Sequence, residues 1–118
     1  MKLPGPDHPI TITPAKGRVV VRFQGEVVAD TTHALELQEA SYPPVLYIPR
    51  TDVKLEHYAP TAHQSHCPYK GDASYFSLKA DGKTAENAVW SYETPFPAMA
   101  AITNHVAFYP DRVTIERS

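Results

Sequence analysis

Apolar and polar residues alternate with a period of two along most of this chain, in short runs separated by glycine, proline or an Asp-Gly pair. Such a pattern predicts half-buried β-strands joined by turns. Ile10-Thr-Ile-Thr13 alternates strictly, Lys16-Gly17 supplies a turn, and Arg18-Val-Val-Val-Arg-Phe23 reads as a buried strand. Gln24-Gly25 then turns the chain into Glu26-Val-Val-Ala29, completing a hairpin. Over Ala34 to Ala40, helix-forming residues compete with the alternation of Leu35 and Leu37, and the alternation favours a strand. Pro43-Pro44 donate no backbone hydrogen bond and break the chain before Val45-Leu-Tyr-Ile48, a strand ended by Pro49.

Arg50-Thr-Asp52 predicts a turn, and Val53 to Tyr58 alternates as another half-buried strand. The polar stretch from Ala59 to Gly71 predicts a loop. Ser74 to Lys79 is a strand, Asp81-Gly82 is the clearest hairpin turn in the chain, and Ala88 to Tyr92 returns as the partner strand. Pro97 to Ile102 suits one short helix, with proline in the first turn and alanines behind it. A last hairpin is expected from Val106–Tyr109 and Val113–Glu116, turning through Pro110-Asp111. The N-terminal arm through Pro9 is punctuated by proline and predicts irregular backbone lying on the surface or against a partner subunit.

Length permits a single domain over residues 1–118, large enough to bury roughly two-thirds of its unfolded surface. Twelve prolines against five glycines describe stiff, irregular connections and few long helices. Eleven basic and thirteen acidic residues give a net charge of −2 with neither sign gathered into a block. That balance offers no basic stripe for nucleic acid. Nothing at the N-terminus resembles a signal peptide or an anchor, so no membrane is expected. One cysteine cannot close an internal disulfide, which points to a reducing, cytoplasmic setting.

Candidate chemistry gathers at His66-Cys67-Pro68-Tyr69-Lys70-Gly71. A thiolate needs a nearby cation or backbone N–H groups, and Lys70 and His66 are placed to supply that field to Cys67. A lone cysteine is equally an inert, buried hydrophobe. Lys70-Gly71 suits an anion, since lysine brings charge and glycine lets a backbone N–H approach closely, although the further glycines of a P-loop are missing. His57, His63, His66 and Cys67 fall within eleven residues, but their spacing matches no standard zinc motif, and neighbours in an extended chain point opposite ways. No metal or other cofactor is expected. Tyr75, Trp90, Tyr92 and Tyr109 lie on successive strands, where aromatic rings either pack a core or wall a pocket. Arg50, Asp52 and Glu93 sit at strand ends. Arg50 is a candidate for clamping a carboxylate or phosphate.

The segments Cys67-Pro-Tyr-Lys-Gly-Asp-Ala-Ser-Tyr75, Glu86-Asn-Ala-Val-Trp-Ser-Tyr-Glu-Thr-Pro95 and Val106-Ala-Phe-Tyr-Pro-Asp-Arg-Val113, with Gly25 to Asp30 and Tyr47 to Asp52, carry a resemblance. In that order they resemble the family known as domain of unknown function 427, also labelled a nucleotidyltransferase-like domain. The chain has no Gly-Ser turn followed by paired aspartates for two-metal phosphoryl chemistry. The resemblance implies a mainly β, compact, single-domain fold of antiparallel hairpins, Mss4-like or β-tent, with at most one or two short helices. Relatives of that fold hold zinc with two Cys-x-x-Cys pairs, and one cysteine cannot do so.

Three functions compete on these residues. The first is a pocket for a small anionic, even nucleotide-like, ligand near Cys67–Lys70, with Arg50, Lys70, Gly71, Tyr75, Trp90 and Tyr92 as binding residues. The second is an enzyme with Cys67 as nucleophile, His66 or His63 as its base and Lys70 as electrostatic support. The third is an interaction or assembly module, such as a homodimer, in which the same residues only maintain the fold.

Overall fold

The computed structural model describes residues 1–118. Ten strands account for most of the chain: β1 (Ile10–Pro14), β2 (Val19–Phe23), β3 (Glu26–Thr31), β4 (Leu35–Glu39), β5 (Val45–Pro49), β6 (Tyr58–Cys67), β7 (Gly71–Ala80), β8 (Lys83–Ser91), β9 (His105–Phe108) and β10 (Thr114–Arg117). They form a seven-stranded sheet in the order β1-β4-β5-β9-β8-β7-β6 and a three-stranded sheet in the order β10-β2-β3. Every pairing is antiparallel. The mainly β expectation is met, and the only helical pieces are short 3₁₀ segments at Arg50–Asp52, Leu55–His57 and Pro97–Ile102.

The two sheets face each other across a core of Val19, Val21 and Val28 from the small sheet and Ile48, Leu78 and Val89 from the large one, all fully buried. A second apolar cluster, with Leu37, Tyr47, Ala73, Tyr75 and Ala107, covers part of the opposite face of the large sheet, roofed by Met99 and Ile102 of the last 3₁₀ segment. Strand β5 feeds both: Leu46 and Ile48 pack toward the first core, Val45 and Tyr47 toward the second. A strand buried on both faces reads as a continuous apolar run, as Val-Leu-Tyr-Ile does.

Two turns follow the sequence closely. Gln24-Gly25 and Asp81-Gly82 all take positive φ, which is the demand of a two-residue hairpin turn whose twist matches its strands. Three expectations need correction. Val53 to His57 is not a strand: Val53 makes only an isolated bridge to Ala29, Leu55–His57 form a 3₁₀ turn, and the strand begins at Tyr58, the first residue of β6. Ala59 to Gly71 is not a loop: β6 runs to Cys67 as the edge of the large sheet, leaving only Pro68 to Lys70 as the turn. Val106–Tyr109 and Val113–Glu116 do not form a hairpin, because β9 inserts between β5 and β8 while β10 crosses to β2. In the last two cases, long-range pairing overrode a local pattern.

Candidate functional site

Cys67 and Gly71 are opposed in the β6–β7 ladder, so Pro68-Tyr69-Lys70 must reverse the chain in three residues. Gly71 has a φ of +111°, and a Cβ there would come within 3.6 Å of the Phe96 nitrogen and the Pro95 Cα. That is ordinary van der Waals distance, so what glycine supplies is the positive φ that the turn takes as it meets the 94–96 segment, where Phe96 N–H donates to the Lys70 carbonyl at 2.9 Å. Gly71 does not line the cavity described below.

The turn directs the Lys70 side chain inward, where the residue is only 9% exposed. Its ammonium lies 2.6 Å from Glu39 Oε1 and 3.8 Å from Cys67 Sγ, and 5.9 Å from the centre of the Tyr92 ring. Glu39 ends β4, and its second oxygen, Oε2, is 2.8 Å from His8 Nε2. His8 stacks on Tyr69 with ring centres 4.1 Å apart, and the Lys2 backbone N–H donates to the Pro68 carbonyl at 2.7 Å. The N-terminal arm therefore lies over the β6–β7 turn and braces Glu39. Burial alone would raise the Glu39 carboxyl, but hydrogen bonds from Lys70 and His8 outweigh it and hold the group below its ordinary value.

Glu39 and Lys70 are the charged walls of a cavity of about 240 Å³ whose other sides are mostly aromatic: Tyr42, Tyr47, Tyr75, Trp90, Tyr92 and Tyr109. Trp90 Nε1–H donates to the Tyr47 hydroxyl at 3.2 Å, and the Tyr75 hydroxyl stands 2.8 Å from Ser65 Oγ and 3.5 Å from the Tyr109 hydroxyl. The bond to Tyr75, helped by burial, pushes the Tyr109 phenol up to about 12. Burial also raises Tyr47 and Tyr92. These phenols are neutral near neutral pH, so they offer hydrogen bonds and ring faces, and the ammonium and carboxylate carry the charge.

The structure thus brings Lys70, Tyr75, Trp90 and Tyr92 to one cavity. It separates the rest. Arg50 lies elsewhere, 3.2 Å from Glu93 Oε1 and 5.1 Å above the Phe76 ring. His66 pairs with Asp72 at 2.7 Å on the exposed side of the sheet, and no hydrogen bond joins it to the Cys67 thiol. Cys67 packs, partly buried, against the second apolar cluster. His57 Nδ1 engages the Lys79 carbonyl and His63 packs on Tyr75, and no three His, Cys, Asp or Glu side chains converge in a metal-holding group. No helix is long and apolar enough to cross a membrane.

Sequence reasoning missed Glu39, His8 and Tyr47. The first two enter because β1 pairs with β4, opposing Ile10 to Glu39, and Tyr47 because β5 is buried on both faces. No local motif announces a partner that arrives through such pairing. Comparison with protein families finds that the family described as Domain of unknown function (DUF427) matches residues 11–118. No curated protein matches the chain.

Proposed function

The chain belongs to the DUF427 family, and from that premise we propose that its tyrosine-walled cavity binds a small molecule bearing an anionic group, received by Lys70. The observation that carries this reading is a nearly buried ammonium–carboxylate pair on the wall of an otherwise aromatic cavity. Burying two charges costs several kcal/mol per ion before their attraction is counted, and an apolar pair would pack at least as well. Retaining the pair beside open space makes sense if it recognises something.

Lysine has three N–H donors, of which Glu39 takes one and the Cys67 sulfur, weakly, a second, leaving one free. The Tyr92 hydroxyl makes no hydrogen bond within the protein, yet no fully buried side-chain polar atom lacks a partner, so this hydroxyl is reached by solvent, and Tyr92 is part of the cavity lining. A carboxylate can accept from both. At about 240 Å³ the cavity falls below the roughly 300–1,000 Å³ of drug-sized sites, which favours a single-ring acid over a whole nucleotide.

The chain's single tryptophan lines the cavity, so its emission reports occupancy. Benzoate, inorganic phosphate and adenosine monophosphate should be titrated against wild type and Lys70→Met. Saturable change with benzoate, weakened at least tenfold by the substitution, is expected. No response to any probe, or equal affinity in both proteins, would sink the reading.

A further inference from the structure

A second cavity, about 340 Å³ and almost wholly apolar, lies on the other face of the large sheet, between it and the small sheet. Ile115 and Leu46 face it from the two sheets, with Val19, Val21, Ile48 and Phe108 of the buried core beneath them as its floor. Four residues line both cavities: Tyr42, Pro43, Val45 and Trp90. The sheet itself explains how opposite faces share walls. Strand β5 pairs with β9 only at Ile48↔Val106 and Pro49↔His105, so toward Val45 the two strands part. Trp90, opposite Ala107 of β9, lines both cavities where the strands part and donates to the Tyr47 hydroxyl of β5.

We propose that the two cavities form one bipartite site for an amphiphilic acid, whose anionic head meets Lys70 and whose apolar tail passes the Trp90 opening into the Val19–Ile115 chamber. This rests on the anion-binding reading above and adds the ligand's chemical class. Charge is confined to one end: Glu39 and Lys70 line the first cavity, whereas no charged residue lines the second. An apolar chamber next to a polar anchor is the arrangement that orients a ligand with one polar end. Tyr42, 61% exposed, stands at the mouth common to both cavities on a loop held by Gln38, whose side chain donates to the Tyr42 carbonyl at 2.6 Å.

The test is a titration of the full chain with straight-chain carboxylates from butanoate to octanoate, read by Trp90 emission beside benzoate. Affinity should rise about fourfold per methylene, the increment for burying that group, until the chamber is full. Ile115→Phe, which fills the chamber, should flatten this dependence; Leu46→Phe repeats the test from the facing wall if the first variant does not fold. The corresponding straight-chain alcohols should bind at least tenfold more weakly. Benzoate binding with no gain along the series, or a gain that both variants leave intact, overturns the bipartite site while leaving the anion pocket standing. No binding of benzoate or any chain acid removes the anion pocket and the inference with it.

Discussion

Glu39 is held by two partners from opposite sides, and the consequence is a definite pH dependence. Its carboxyl has a lowered affinity for protons in the folded protein, so as pH falls the unfolded chain takes up its proton first. The stabilisation is complete above the ordinary carboxylate value of about 4.3 and drains away as pH drops through the folded value. Urea midpoints measured from about pH 6 to about pH 2 should therefore decline on the acid side, and Glu39→Gln should make that decline shallower. Removing Lys70 is the harsher change. Lys70→Ala leaves a carboxylate buried without its ammonium, which costs about 3 kcal/mol, whereas Lys70→Met combined with Glu39→Gln should recover a large part of the loss in the same unfolding assay. Lys70 was legible as chemistry because a lysine beside a turn glycine stands out in a strand-rich chain. Glu39 was not, because in Leu-Glu-Leu-Gln-Glu it looks like any polar member of an alternating strand, and its partner is thirty-one residues away. Arg50 stood out as a charge at a strand end, yet it is engaged by Glu93 and the Phe76 ring.

At the scale of the element, the hairpins with two-residue turns were readable and the edge strand β6 was not. Strand β6 is exposed along Gln64–His66 and flanks the large sheet, so it carries no apolar alternation to betray it. Strands β9 and β10 were recognised as strands, but proximity in sequence suggested the wrong partner for both. Glycine positions separate two kinds of turn. Gly82 has positive φ and open space around an added Cβ, so Gly82→Ala should cost only the left-handed conformation, about 1 kcal/mol. Gly17 also has positive φ, but there an added Cβ would collide with the Ser118 carbonyl oxygen, next to the paired Arg18–Ser118 backbone hydrogen bonds. Gly17→Ala should destabilise more than Gly82→Ala in thermal melts followed by circular dichroism. Equal losses would show that the Gly17 contact yields easily.

For the whole molecule, the decisive junction is where the small sheet meets the large one. Strand β10 is an edge of the small sheet, pairing Thr114 to Arg22 and Arg117 to Val19, and it flanks the apolar chamber through Ile115. Without it β2 and β3 would form a bare two-stranded ribbon, which is marginal in water unless packed on something else. Val19 and Val21, fully buried in the complete chain, would lose neighbours on one side. Deleting residues 114–118 should therefore do more than fray an end. The expected result is loss of the cooperative thermal transition, or its shift well below that of the full chain, with binding of an apolar dye to the exposed face of β2. Deleting residues 1–6 is the contrasting case. That segment donates the Lys2 hydrogen bond to Pro68 but contributes nothing to either apolar cluster, so the melt should stay cooperative. If instead the C-terminal deletion melts like the full chain and the N-terminal one does not, the core is closed by the arm and not by β10.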